Sequence, residues 1–117
     1  LLLKGQIVGG VVQGVGQILM EDIHFDADGQ LVSGSFMDYA IPRASDLSPV
    51  EVKSNPVPTK TNPLGIKGAG EAGCVGAMPA VSSAIADALA PLGIRHVEMP
   101  TTPERVWRAI QDSRAQA

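Results

Sequence analysis

Between Gln6 and Asp22 the apolar side chains fall at Ile7, Val8, Val11, Val12, Val15, Ile18 and Leu19, the spacing of one buried helix face. Four glycines, Gly9, Gly10, Gly14 and Gly16, stand inside the same stretch. Each disfavours a helix by about 1 kcal/mol relative to alanine. A helix that keeps four of them needs a compensating contact. Either another helix or a sheet packs against bare backbone there, or a ligand approaches it closely.

Turn residues punctuate the rest of the chain. Asp26-Ala27-Asp28-Gly29, between His24-Phe25 and Leu31-Val32, predicts a hairpin over 23–35. The loop lacks the further ligands and late glutamate of a calcium site. Val50-Glu51-Val52-Lys53 alternates as a short strand does. Pro56, Pro58 and Pro63 make 55–65 a loop. A helix of small apolar residues is predicted over 77–90, with Met78, Val81, Ile85, Ala88 and Leu89 on one side and Gly93 as its stop. A strand is expected over 94–99. Thr102 then caps a last helix over 104–111, in which Glu104 and Arg108 form an i, i+4 pair. Strands and helices mix without strict alternation, so the expected class is α+β, helices layered on a sheet.

Composition narrows the function classes. With 44% hydrophobic and 18% charged residues, the chain is not of the disordered type. A net charge of −3 gives no footprint for nucleic acid or an anionic membrane. Charges and glycines interrupt every apolar run before 18 residues, so no membrane-spanning segment is expected. The single cysteine, Cys74, excludes an internal disulfide and a zinc site of several thiolates, and fits a reducing, cytoplasmic setting. Leu1-Leu2-Leu3-Lys4 is too short for a signal peptide's apolar core. Without an initial methionine the sequence reads as part of a larger polypeptide.

The densest chemistry lies at Lys67-Gly68-Ala69-Gly70-Glu71-Ala72-Gly73. The glycines match the G-x-G-x-x-G pattern of dinucleotide-binding folds, and Glu98 could serve as the ribose acid. However, a proline-rich run precedes the motif where an apolar strand should stand. Glu71 would also repel a pyrophosphate. A plainer reading places Glu71 at a helix N-terminus, where an acid gains about 0.3–1 kcal/mol. Capping does not need glycines on both sides. Unhindered backbone N–H groups beside a carboxylate suit an anionic ligand and a general base, the base being expected in a poorly solvated cleft.

Four stretches together resemble the molybdenum hydroxylases, the family of xanthine dehydrogenase, aldehyde oxidoreductase and the large subunit of aerobic carbon monoxide dehydrogenase. Asn62-Pro63-Leu64-Gly65-Ile66-Lys67-Gly68-Ala69-Gly70-Glu71-Ala72-Gly73 resembles their C-terminal active-site segment. Gly5 to Gly16 resembles their glycine-rich helix. Asp38-Tyr39-Ala40-Ile41-Pro42-Arg43 resembles a D-Y-x-I-P-x turn, and Met99-Pro100-Thr101-Thr102-Pro103-Glu104-Arg105-Val106 a closing M-P-x-T-P-E-x-V. The likeness covers nearly the whole chain. It implies that residues 1–117 are a C-terminal fragment of the molybdenum cofactor-binding domain of a large subunit.

The resemblance implies specific roles. Glu71 takes the place of the family's base, which accepts a proton from a metal-bound hydroxyl during oxidative hydroxylation of an aldehyde, N-heterocycle or similar substrate. Lys67, Gly68, Ala69 and Gly70 border the molybdopterin, and Gln6 contacts it through an amide able to donate and accept. The molybdenum takes no ligand from this chain. The cofactor is expected in its cytosine dinucleotide form, with iron–sulfur clusters and FAD on partner subunits or domains. Ala72-Gly73 replaces the two prolines that commonly follow the glutamate in xanthine-type members, which points to the carbon monoxide dehydrogenase-like and aldehyde or N-heterocycle groups. The contrasting possibility is a non-catalytic binding or assembly piece that keeps the fold without loading cofactor. Cys74, His24 and His96 read as structural or surface residues. Trp107 is expected to anchor the last helix, and Tyr39 to reach a buried polar group.

Overall fold

The computed structural model describes residues 1–116 and contains three α-helices: α1 (Leu2–Leu19), α2 (Ala72–Leu89) and α3 (Pro103–Ala115). A single 3-10 turn, Ala90–Leu92, extends α2 and ends at Gly93 in the left-handed region, φ 76°. The helix predicted over 6–22 thus starts four residues earlier and stops three earlier. The one predicted over 77–90 starts at Ala72, directly after Glu71. Pro79 lies inside α2, where it removes one backbone donor without ending the helix.

α1 and α2 pack through the glycines. A Cβ on Gly10 would stand 3.0 Å from the Cys74 amide nitrogen, and one on Gly14 would stand 2.8 Å from the Ala77 Cβ. A Cβ on Gly73 would collide with the Ile7 carbonyl and come within 2.8 Å of the Val11 nitrogen. The two backbones therefore touch directly. A step from Gly10 to Gly14 on α1 matches a step from Gly73 to Ala77 on α2, so the helices run parallel. A Cβ on Gly9 would meet nothing within 4 Å, so Gly9 has no such neighbour among the described residues.

The C-terminal end of α1 is held from three directions. The Thr101 amide donates to the Ile18 carbonyl at 2.5 Å, and Thr101 is buried. Arg105 donates to the Pro100 carbonyl at 3.2 Å and to the Asp22 carboxylate at 3.3 Å, with His24 Nε2 on the same carboxylate at 3.1 Å. Pro42 lies over Gly16, while the Tyr39 hydroxyl donates to Glu21 Oε2 at 2.7 Å. Ile18, the one large side chain fully buried among the described residues, sits at this junction. α3 begins as expected, with the Thr102 hydroxyl accepting from the Arg105 amide and Pro103 in its first turn. The Glu104–Arg108 pair closes at 2.7 Å on the surface.

The sequence-predicted strands do not form among the described residues. The 23–35 segment keeps its turn, in which Asp26 Oδ1 accepts from the Asp28 and Gln30 amides. Its pairing stops at the single bridge Phe25–Leu31. Residues 50–53 and 94–99 carry no strand ladder, so the expected helices-on-sheet layering has no sheet here. Trp107 is 59% exposed, contrary to its expected role as an anchor, because nothing among the described residues covers that face of α3. A membrane-length segment was likewise not expected. Yet Ala72–Leu92 is long and apolar enough to cross a membrane by length and composition, with a mean hydropathy of 1.4. Five aliphatic side chains, Val75, Val81, Ile85, Leu89 and Leu92, and seven alanines account for that value, and Gly73 and Ala77 are occupied by contact with α1.

Much apolar surface stays open. The accessible surface is 9056 Å², against about 6,000 Å² for a compact monomer of this mass. The radius of gyration is 18.2 Å, where about 13 Å is usual for a compact domain of this length. Phe36, Met37, Leu64 and Ile66 are all exposed.

The Tyr39 phenol is held above its ordinary value near 10, by its hydrogen bond to Glu21, by desolvation and by the negative charge of Glu21. A folded-state value above the unfolded one means that this contact stabilises the fold below about pH 10 and is lost as pH rises through the raised value. Phenolate absorbance of this single tyrosine should therefore appear at higher pH in the folded chain than in denaturant. Glu21→Gln should bring the two titrations together.

Candidate functional site

Glu71 stands at the N-cap of α2, and its carboxylate makes no capping hydrogen bond. The backbone holds it in place: its carbonyl accepts from the Val75 amide at 3.0 Å, and two residues later Gly73 is pressed against α1. The carboxylate is thus fixed at its root and free at its tip. Glu71 is exposed, so the poorly solvated cleft expected around it does not form among the described residues.

Gln6 lies at the same end of the helix pair. It precedes Ile7, whose carbonyl faces Gly73. In the parallel register Gly9 lies level with Ala72, so α1 overhangs α2 by about seven residues, roughly 10 Å of helix. Gln6 sits on that overhang and is exposed. The segment Lys67–Gly70 leads up to the α2 N-terminus. A Cβ on Gly68 or Gly70 would meet nothing within 4 Å, so the chain there presents open backbone. The first amides of α2 have no partner within the helix, and the positive end of its dipole points the same way.

These residues fit a molybdopterin. Its phosphate and polar pterin edge call for amide donors and acceptors, and Gln6, the open strap 67–70 and the α2 amides offer them at one end of the molecule. No group of three or more His, Cys, Asp or Glu able to hold a metal occurs among the described residues. Cys74 is half-buried, its amide against Gly10. His24 is engaged with Asp22 at the opposite end of α1.

The profile of the molybdopterin cofactor-binding domain matches residues 1–48, the part that carries Gln6. The nicotine 6-hydroxylase large subunit of Paenarthrobacter nicotinovorans is 43% identical over 110 residues, 94% of this chain and 14% of that protein. The carbon monoxide dehydrogenase large chain of Hydrogenophaga pseudoflava is 34% identical over 96% of this chain and 14% of its own length. The chain belongs to the molybdopterin-binding large-subunit family. A crystal structure of Cu,Mo-CO dehydrogenase superposes on 98% of it with a TM-score of 0.89 at 30% identity. Quinoline 2-oxidoreductase from Pseudomonas putida 86 does so over 93% with a TM-score of 0.86 at 42% identity. In both, as in the two curated relatives, the chain spans about 14% of the longer protein. As a piece of such a large subunit, it leaves open the surfaces that the rest of a subunit would meet.

The structure also brings forward residues to which the sequence assigned no role. Asn62 organises the turn before the glycine strap, and Asp22, Glu21 and Arg105 fix the far end of α1. Asn-Pro followed by glycine is a turn signal and marks the first of these. The Asp22–Arg105 pair spans 83 residues and leaves no local pattern.

Gly73→Ala tests the contact that sets this end of the molecule. The added methyl has no space, so the variant should lose about 1–3 kcal/mol by thermal unfolding, the usual cost of overpacking. Gly76→Ala, where a Cβ meets nothing within 4 Å, should instead gain up to about 1 kcal/mol from helix propensity.

Proposed function

We propose that this chain supplies the base and part of the cofactor cradle of a molybdenum hydroxylase large subunit. The observation that carries the reading is the uncommitted carboxylate of Glu71. It sits at a helix N-cap without capping, is rooted by a backbone-to-backbone helix contact, and is preceded by open glycines. When bound, the molybdenum cofactor supplies the two-electron acceptor and the oxygen atom for hydroxylation. Glu71 Oε1 or Oε2 accepts the proton released in that step. Lys67, Gly68, Ala69 and Gly70 would hold the pterin through their backbone, and Gln6 would hold it through its amide.

Two relatives at 42–43% identity, named for nicotine and quinoline, support a nitrogen heterocycle as the substrate class. The cytosine dinucleotide form of the cofactor belongs to the same proposal, as do iron–sulfur and FAD partners that carry electrons away. A relative named as the gamma subunit of a dehydrogenase complex supports a multi-subunit assembly. The sheet of the proposed α+β architecture is then completed by strands from the rest of the large subunit. Segments 50–53 and 94–99, whose residues suit a strand, are the natural sites for that pairing.

Two variants of the intact enzyme test these roles. Glu71→Gln keeps shape and removes the base. Molybdenum content should stay stoichiometric while turnover falls at least about a hundredfold. Unchanged turnover removes Glu71 from the mechanism. An enzyme that never binds molybdenum, even with its maturation factors, supports a non-catalytic assembly role instead. Gln6→Ala should lower the pterin retained after gel filtration; full loading with normal activity would set that contact aside.

A further inference from the structure

The strap Lys67–Gly70 carries open backbone at Gly68 and Gly70 and joins the N-terminus of α2 to a turn that closes on itself. On the α2 side, Gly73 is in contact with α1. In the turn, both polar groups of the Ile66 backbone are held by a single side chain. The Asn62 amide donates from Nδ2 to the Ile66 carbonyl at 3.0 Å, and its Oδ1 accepts from the Ile66 amide at 3.3 Å. The same Oδ1 accepts from the Leu64 amide at 3.1 Å. Gly65, with φ 64°, turns the chain between these two, and its amide and carbonyl join Asn62 and Thr59. The other side-chain-centred turn of this kind shows what is unusual. At residues 26–30 the Asp26 carboxylate accepts from two amides and reaches no carbonyl. A carboxylate suffices there. At position 62 a donor is also required, which an ionised carboxylate lacks and the Asn62 amide supplies.

We infer that Asn62 is a positioning residue for Glu71, and this rests on the assignment of Glu71 as the base. Clamping Ile66 immediately before Lys67 leaves six residues, 67–72, between the closed turn and the Gly73 contact, and the last of them already belongs to α2. The open backbone of the strap then has few conformations, although two of its four residues are glycines. Without the clamp, the strap regains freedom and the carboxylate is less often in line with the reacting atoms. A misplacement of about 1 Å in such a group lowers turnover up to about a hundredfold.

The experiment uses the intact holoenzyme, with Asn62→Ala, Asn62→Asp and Glu71→Gln made in parallel. For Asn62→Ala, molybdenum and pterin content should equal the wild type, kcat should fall about ten- to a hundredfold, and KM should change less than about threefold. Asn62→Asp keeps the two accepted bonds and loses the donated one, so it should load cofactor and still lose at least about half of the kcat effect on a logarithmic scale. Wild-type kcat in both Asn62 variants overturns the inference. So does loss of cofactor in both, which assigns Asn62 to assembly of the loop. If Asn62→Ala does not fold, Asn62→Asp alone decides by the same kcat-against-KM criterion. Full turnover in Glu71→Gln removes the base assignment, whereas a dead Glu71→Gln beside unaffected Asn62 variants removes only the clamp.

Discussion

Bare backbone against bare backbone, at Gly10 and Gly73, is the contact on which the rest of this structure depends. No side chain intervenes there, and at Gly14 only the Ala77 methyl does, so the separation and register of α1 and α2 are set almost wholly by main-chain atoms. That register does two things at once. It places the first residue of α2 directly after Glu71, and it leaves the first two turns of α1 projecting past it with Gln6 exposed. Residues 65 positions apart in sequence thereby face one region. A larger residue at either glycine would separate the helices and move both groups.

The opposite end of α1 explains why three of the four recognisable stretches occur together. The D-Y-x-I-P turn lays Pro42 on Gly16 and ties Tyr39 to Glu21. The M-P-T-T-P-E-R stretch donates the Thr101 amide to Ile18 and brings Arg105 to Asp22. Both are fasteners for the helix whose other end carries Gln6. Their chemistry is structural: neutral and charged hydrogen bonds spent on holding a glycine-rich rod that has little side-chain surface of its own to pack.

Helices, caps and the site segment were legible in the sequence because their causes are local. Apolar spacing marked α1, Thr102 and Pro103 marked the start of α3, and glycines flanking a carboxylate marked Glu71. The start of α2 was missed by five residues, because Gly73 and Gly76 look like loop residues until α1 is laid against them. The strands were misplaced for a related reason. Alternation at 50–53 and β-forming residues at 94–99 describe a backbone suited to pairing, but a ladder needs a second strand, which these residues do not contain. The exposure of Trp107 and Glu71 follows from the same absence of neighbours. Likewise the Asp22–Arg105 pair depends on tertiary geometry that no local pattern announces.

The spacer between Glu71 and Gly73 has a consequence for how this region tolerates length change. On a helix each residue turns the next by about 100°. Inserting or deleting one position there would swing the carboxylate around the axis of α2 while the glycine stayed seated. The proline-rich run from Asn55 to Pro63 faces no such constraint, since it ends in a clamped turn rather than in a helix. Insertions between homologous chains should therefore accumulate upstream of Asn62 and be absent across the two peptide bonds that join acid to glycine.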